Sequence, residues 1–553
     1  MKIEIKTQEE FNKLNSLITN STDDIIDIEI NEGIFEFTNN HICLENINNP
    51  NLSILIKGNN TTIISGKITT DFNPLSALID TTVNKTEKTN LFTKIINWFK
   101  YSFKKKKIKP ERLSIWPEEF KSATQLIEVL NNNKECCLYC DIDEQCDCEN
   151  VYINVLQWYT SNYYKVNKIE KGKIFFTCTD LTYNEARQGY FINGDYLFGK
   201  IYPRYRLCNI SEDDVATIKS YKTKLPYGYN SFKTCSEECF ITFSNCKFKS
   251  IIIKDLNFNG NAYLNKKSLF YFLNTDSTNI QIENCNFTNI YSTCIYNLNT
   301  NKLNVFNCNF TNIYNSCILS RDSNDTSIRS CTFKNVGLNH KNVFAIRVNG
   351  ENSLVTNNEF SNFGYGAIEI GTWYGAVKNT TNTATVLFNN IHDSYTPLMD
   401  SGAIYLFTNN DNVKIGYNYI NNYTGAYYNR GIFGDDGAKS FTLYNNVILN
   451  CSNSYSIDSR RVLSVEKEHY SSSNTEKVNI DNTIKNNYFD GPIRFEGRGD
   501  KANCSFLENY SNKSSKNIFN YIDNFDEITI LDSSEFNRKC NEIKTIIKNG
   551  VLD

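Results

Sequence analysis

NCNF at 284–287, NCNF at 307–310, SCTF at 330–333 and NNEF at 357–360 are one phrase written four times. NCKF at 245–248 reads as an earlier copy, and looser versions end at Ile391, Ile420, Ile448 and Phe489. The second residues run Cys285, Cys308, Cys331, Asn358, Asn389, Asn418, Asn446 and Asn487, with first steps of 23, 23 and 27 residues. A period in that range, with short β-type phrases and no amphipathic helix between them, is a solenoid signature. Like residues then lie over like residues. The Cys and Asn series is expected to point inward as ladders, the amides bonding from coil to coil and the thiols reduced. The fold class that follows is all-β: a right-handed parallel β-helix solenoid with an inserted α+β subdomain and a C-terminal helix.

A second series agrees. CIYN, CILS, AIRV, AIEI, AIYL, GIFG, SIDS and PIRF set Ile295, Ile318, Ile346, Ile368, Ile404, Ile432, Ile457 and Ile493 at one strand position. Strand side chains alternate between faces, so the residue after each inward Ile points out. That outward column reads Tyr296, Leu319, Arg347, Glu369, Tyr405, Phe433, Asp458, Arg494. The column two residues further on reads Leu298, Arg321, Asn349, Gly371, Phe407, Asp435, Arg460, Glu496. The early members of both columns suit an ordinary solvated face, whereas from Arg347 onward charges and aromatics take over. The coil also lengthens there, to 36 residues from Ile368 to Ile404 and again from Ile457 to Ile493. Extra residues must leave the solenoid as loops, carrying Trp373 and Tyr374 in one and Glu466, Glu468 and His469 in the other. Loops beside a charged strand face make a groove.

The 553 residues exceed one ordinary core but not a solenoid, which grows by adding coils. A formal charge of −3 with interspersed signs gives no footprint for nucleic acid, and no apolar run is long enough to span a bilayer. MKIEIKTQEEFNKL lacks an apolar signal core, so the expected compartment is the cytoplasm, or the exterior if a leader has been trimmed. Residues 1–70 read as an N-terminal cap and first coils, with a short helix in TQEEFNKLNSLI. Residues 71–235 read as the inserted subdomain, with PEEFKSATQLIEVLNNN at helical spacing and three strands in VYINVLQWYTSNYYKVNKIEKGKIFFTCTD. Residues 236–510 form the β-helix core with its groove, and 511–553 a cap with a helix in EFNRKCNEIKTIIKNG. Within the insertion, Cys136, Cys137, Cys140, Cys146 and Cys148 include a C-x-x-C and a C-D-C. Their separation is shorter than zinc modules use, so reduced cysteines and no metal are expected.

RGIFGDDGA (430–438) and SYSIDSRR (454–461) gather Asp435, Asp436, Asp458, Arg460 and Arg461 within two coils. Offset by two residues on adjacent strands, Asp435 and Asp458 would have Cα atoms ~8 Å apart. Carboxylates at such range cleave glycosidic bonds, one as acid and one as nucleophile or base. Arg460 over Asp435 and Arg494 over Asp458 would keep those groups ionised, leaving Asp436, Glu369 or Glu496 for the acid. An Arg–carboxylate column can equally be a structural ladder, and Arg347 beside Glu369 fits that reading. Paired acids between Gly434 and Gly437 also suit calcium, which would turn the chemistry toward elimination. Trp373, Tyr405 and Phe433 are candidate stacking platforms for sugar rings, while His392 and His469 read as surface residues.

MDSGAIYLFTNNDNVKIGYNYI (399–420) followed by NRGIFGDDGAKSFTLYNNVILN (429–450) resembles the core of right-handed, pectate-lyase-like β-helix glycoside hydrolases of bacterial polysaccharide degraders. The resemblance implies a sugar site in which Asp400 matches the family's first acid and Asp435 and Asp436 its acid pair. LQWYTSNYYKVNKIEKGKIFF and RYRLCN are similar to a Trp-bearing insertion of such enzymes. Phe433 and Gly434 depart from the family's usual aromatic and aliphatic residues.

The leading expectation is therefore hydrolysis of glycosidic bonds at Asp435, Asp436 and Asp458, with Asp400 and Glu369 in support. Arg347, Tyr405, Arg460, Arg461, Arg494, Glu496 and Trp373 would bind the carbohydrate, and the arginines point to one bearing carboxylate or sulfate groups. No cofactor is expected. The alternatives are a polysaccharide lyase, for which calcium would enter, and a non-catalytic glycan-binding or structural solenoid. One scaffold hosts all three.

Overall fold

Each NC or NN phrase turns a corner. Its first residue (Asn284, Asn307, Ser330, Asn357, then Tyr417, Asn445 and Asn486) has φ between 52° and 58°. That is the left-handed region, which Asn tolerates better than most residues with a Cβ. The second residue drops inside. Cys285, Cys308 and Cys331 are buried thiols whose Sγ donates to the carbonyl two residues back at 3.2–3.4 Å. From Asn358 the ladder becomes amide: Asn358, Asn389, Asn418, Asn446 and Asn487 each donate Nδ2–H to the next Oδ1 at 2.9–3.1 Å, ending on Asn509. Two residues beyond the ladder, Phe258, Phe287, Phe310, Phe333 and Phe360 stack with centroids 4.6–5.3 Å apart.

The computed structural model describes residues 1–37, 41–65, 121–122, 127–130, 135–139, 151–157, 160–177, 195–196, 199–200, 204–209, 239–261, 268–290, 292–338, 342–371, 382–396, 398, 400–407, 412–425, 429–435, 437–458, 460–462, 475–477, 481–496, 504–513 and 528–549. The chain divides into two compact units, one of 1–67, 158–160 and 216–553, the other of 68–157 and 161–215.

The first unit is a right-handed parallel β-helix with three walls. One coil shows the plan: Thr293–Leu298 on the first wall, Leu303–Phe306 on the second, Asn309–Ile313 on the third, then Ile318–Arg321 back on the first. Coil stacks on coil in register, Leu303 beside Ile280 and Asn309 beside Asn286. The second and third walls merge through two long strands, Ser53–Ser65 and Lys247–Asn261. NCKF at 245–248 belongs to a different corner from the other phrases, since Lys247 lies beside Asp276 and Asn257 beside Asn286. Its resemblance to them comes from turn chemistry that every corner needs, not from coil position.

Two short helices, Gln8–Asn12 and Leu14–Thr19, open the unit, the first closed by a capping box between Thr7 and Glu10. Helix Ser533–Asn549 buries Phe536, Cys540, Ile543 and Ile547 against Phe388, Tyr419, Val447 and Tyr488. No helix among the described residues is long and apolar enough to cross a membrane.

The second unit holds a seven-stranded sheet. Val151–Gln157, Thr160–Glu170 and Lys173–Thr177 are the three expected strands. The helical spacing of 117–133 does not produce a helix where that stretch is described: Lys121–Ser122 and Ile127–Leu130 are strands. Ile127–Leu130 pairs antiparallel with Glu135–Tyr139, and the cross-strand partners override the local periodicity. Cys136 and Cys137 are buried on that second strand, while Cys140, Cys146 and Cys148 lie outside the described residues.

Candidate active site

The first wall is an eleven-stranded parallel sheet, and its outward face carries the candidate site. Arg347, Glu369, Tyr405 and Phe433 stand in one column on strands Phe344–Val348, Gly366–Gly371, Gly402–Phe407 and Arg430–Gly434. The column then departs from expectation. Phe433 lies beside Ser456, and Ser456 beside Arg494, so Asp458 is displaced from the column by two residues. Gly434 lies beside Ile457, so the residues next in sequence are Asp435 on one coil and Asp458 on the other, without the expected two-residue offset. Adjacent parallel strands in register have Cα atoms about 4.8 Å apart. Asp458 in turn pairs with Glu496.

The early part of the face differs as well. Tyr296, which the reading above took for a member of a solvated face, is 2% exposed. Burial runs through the site coils too, where Tyr405 and Phe433 are 4% and 1% exposed. Neither ring is available to stack on a sugar. Tyr405 instead meets Phe407 and Phe433 edge-on, with centroids at 4.9 and 5.1 Å.

Two carboxylates break this closed surface. Asp400, 25% exposed, sits in the left-handed region at φ 60° just before strand Gly402–Phe407. Asp435, half-buried, follows strand Arg430–Gly434. Arg430 donates from a terminal guanidinium nitrogen to Asp400 Oδ1 at 3.1 Å and lies over the Phe433 ring at 3.9 Å. Tyr405 donates its hydroxyl to Asp435 Oδ2. Tyr365 donates its hydroxyl to the Asp400 carbonyl at 2.6 Å. Burial, with both carboxylates close by, holds the phenols of Tyr365 and Tyr405 well above the ordinary tyrosine range. They therefore remain protonated donors.

The Asp400 turn is tied from behind. Ser401 Oγ shares a 2.6 Å hydrogen bond with the buried Tyr423 hydroxyl and lies 3.2 Å from Asn429 Oδ1, and Tyr423 donates to the Tyr365 carbonyl. Gly371 closes the coil below: at φ +80° a Cβ there would fall 2.0 Å from the Phe407 carbonyl oxygen.

Arg347 and Glu369 form an ion pair with side chains 13% and 1% exposed, so Glu369 is held inside the wall. Arg494 is 4% exposed on the outer column. Arg460 and Arg461 do not extend that column. They lie on strand Arg460–Val462, antiparallel to Thr475–Lys477, with Arg460 beside Lys477 and Arg461 beside Glu476. Asp436 and Trp373 lie outside the described residues, as do Tyr374, Glu466, Glu468 and His469. His392 sits on the third wall, between Glu359 and Asp393.

Arg430, Tyr365 and Tyr423 were not among the sequence candidates. Arg430 carried a usable signal. Two residues before Ile432, it has the inward parity of its strand, and a buried guanidinium requires a partner. Among the described residues no group of three His, Cys, Asp or Glu side chains could hold a metal ion.

No protein-family model and no curated protein matches this sequence. Among solved structures it is similar to a glycoside hydrolase at 10% identity, covering 96% of this chain and 94% of that one with a TM-score of 0.42. XylC in complex with xylose is similar at 9% identity over 90% of this chain and 76% of that one, TM-score 0.35. The periplasmic alginate epimerase AlgG is similar at 11% identity over 49% and 80%, TM-score 0.24. Similarities this weak assign the chain neither a family nor an activity.

Proposed function

We propose that the chain is a carbohydrate-active enzyme that hydrolyses glycosidic bonds, with Asp400 and Asp435 as its carboxylate pair. One observation carries this reading: two partly exposed carboxylates on successive coils, beside the buried rings of Tyr405 and Phe433, each held by a different kind of donor. Glycoside hydrolysis needs one carboxylate that keeps its charge as the anomeric centre becomes cationic and one that passes a proton to the leaving oxygen. Asp400, facing the Arg430 guanidinium, suits the first role, as nucleophile or as base for a water. Asp435, which accepts a hydrogen bond from the Tyr405 phenol, suits the second. Asp458 follows Ile457, the partner of Gly434 on the next coil, and Asp436 is adjacent to Asp435 in sequence. Glu369 and Arg347 stiffen the wall beneath.

The test is a reducing-end and mass-spectrometric screen of the whole chain against a broad polysaccharide panel, with Asp400→Asn, Asp435→Asn and Asp458→Asn alongside. The expected result is one cleaved substrate, a product mass increased by one water, and loss of cleavage in folded Asp400→Asn and Asp435→Asn. An unsaturated product would replace hydrolysis by elimination. Cleavage that survives both substitutions would remove the pair from the chemistry.

A further inference from the structure

We infer that Tyr423, a fully buried core tyrosine, is a positioning residue for Asp400; its consequence for catalysis rests on the hydrolase reading above. Tyr423 lies on strand Tyr419–Gly425 of the third wall, with its side chain in the core of the solenoid. Earlier coils fill this place in the repeat with apolar groups: Ile313, Val336 and Phe363 lie there in register, all buried. The next two coils put hydroxyls there. Ser394 accepts from the Phe363 N–H at 2.9 Å and donates to the Phe363 carbonyl at 2.8 Å, and Tyr423 lies beside Ser394. A hydroxyl in an apolar core is costly unless it is hydrogen-bonded, so its partners show what it holds.

Ser394 bonds back to its own wall, whereas Tyr423 reaches two other turns. Its hydroxyl donates to the Tyr365 carbonyl and shares a 2.6 Å hydrogen bond with Ser401 Oγ. Tyr365 donates its own hydroxyl to the Asp400 carbonyl at 2.6 Å. One buried hydroxyl thus bears on Asp400 from two sides: on the residue after it directly, and on its carbonyl through Tyr365. The Tyr423 ring is fixed by stacking on Phe363, with centroids 5.5 Å apart. Burial raises its phenol above the ordinary tyrosine range, so it remains a protonated donor. Asp400 depends on such a hold because its φ of 60° is in the left-handed region, which a residue with a Cβ leaves when the turn around it loosens. Its carboxylate meets Arg430 at 3.1 Å, and a misplacement of about 1 Å at a reacting group can lower a rate by about 10²-fold.

The experiment compares Tyr423→Phe with Ser394→Ala in the whole chain. Each loses one buried hydroxyl from the same column, and Tyr423→Phe loses the bond to the Asp400 turn. On the substrate that wild type cleaves, folded Tyr423→Phe should lower kcat by about 10–100-fold with KM within about twofold, and Ser394→Ala should keep kcat within about twofold. Ser401→Ala removes the other end of the shared bond and should repeat the loss, which keeps the test open if Tyr423→Phe fails to fold. Hydrogen exchange reads the same hold without a substrate. The Arg430 N–H donates to the Ser401 carbonyl at 3.1 Å and should exchange at least about tenfold faster in Tyr423→Phe than in Ser394→Ala. Unchanged kcat in folded Tyr423→Phe and Ser401→Ala, or an equal loss in Ser394→Ala, overturns the inference and leaves the hydrolase reading intact. If wild type cleaves nothing, the hydrolase reading fails and exchange decides: equal protection of Arg430 in the two variants overturns the hold on Asp400, and faster exchange confined to Tyr423→Phe sustains it.

Discussion

Coils around 293–336 and coils around 366–435 share one backbone plan and differ in nearly everything attached to it. In the first group the inward corner is Cys285, Cys308 and Cys331, the steps are uniform, and the outward face of the first wall is Tyr296 and Leu319. In the second the same corner is Asn358, Asn389 and Asn418, and the same face carries Arg347, Glu369 and Tyr405. The two changes go together. A thiol ladder is held by burial and tolerates small slips, whereas an amide ladder is held by directional bonds that fail if a coil shifts. The coils that position Asp400 and Asp435 are the ones whose register is locked from inside. The solenoid thus separates two tasks: inward residues fix where each coil sits, and outward residues are free to become chemistry.

That separation can be broken at several points. The largest effect belongs to the outward face. Asp435→Asn and Asp400→Asn should each lower kcat/KM on the cleaved substrate by about 10²–10⁴-fold, read by reducing-end assay. Asp322→Asn, on an early coil, should leave it within about twofold, the usual scale of a change at an exposed site away from the chemistry.

The inward face comes next, and its effect is on stability. Asn418 donates to Val386 O, Gly416 O and Asn446 Oδ1, and its own Oδ1 accepts from Asn389. Asn418→Ala leaves several of these buried groups unmatched and should cost about 3–4 kcal/mol in urea unfolding. Cys308→Ala removes only a small buried side chain and should cost about 1 kcal/mol.

His41, in the N-terminal cap, gives a pH-dependent contrast. It is 7% exposed and stacked on Phe11 at 4.0 Å, and burial pushes its pKa down to about 4. The fold favours neutral imidazole, so its contribution is complete above the unfolded pKa of 6.5 and is lost as pH falls toward 4. The loss should reach about 2 kcal/mol by pH 5, and His41→Phe should remove the slope. Hydrogen exchange at pH 5 should show the first coils opening before the site coils.

The smallest effect would sharpen the ladder comparison. Cys331 N–H already donates to Asn358 Oδ1 at 2.9 Å, so Cys331→Asn should carry the amide ladder back one coil. A stability change within about 1 kcal/mol is expected, measured by urea unfolding. A much larger loss would mean that the two groups of coils are not interchangeable at this corner.

Much of this architecture was legible in the residues, and the reason is repetition. A coil that returns to the same place puts Cys308 over Cys285 and Ile404 over Ile368, so a periodic phrase states its own three-dimensional neighbours. Alternation along each strand then separated inward from outward positions through Arg347, Glu369 and Tyr405. Legibility stopped where coils became unequal. At 453–458 both Tyr455 and Ile457 suit an inward place, and a slip of two residues keeps every side chain on its own face. The pattern therefore could not choose between Ser456 and Asp458 beside Phe433.

By itself, then, the sequence determined the solenoid, its ladders and Asp435 as a candidate, because period and parity are local properties that stacking repeats, while Asp400 entered through the resemblance of its motif. Only the tertiary structure decided that Gly434 pairs with Ile457, that Arg430 and Tyr405 hold the two carboxylates, and that Arg347 is ion-paired with Glu369. Those are partnerships between residues 22 to 30 positions apart on different coils. Their pairing depends on how far each intervening loop lets its coil slide, which no single strand records.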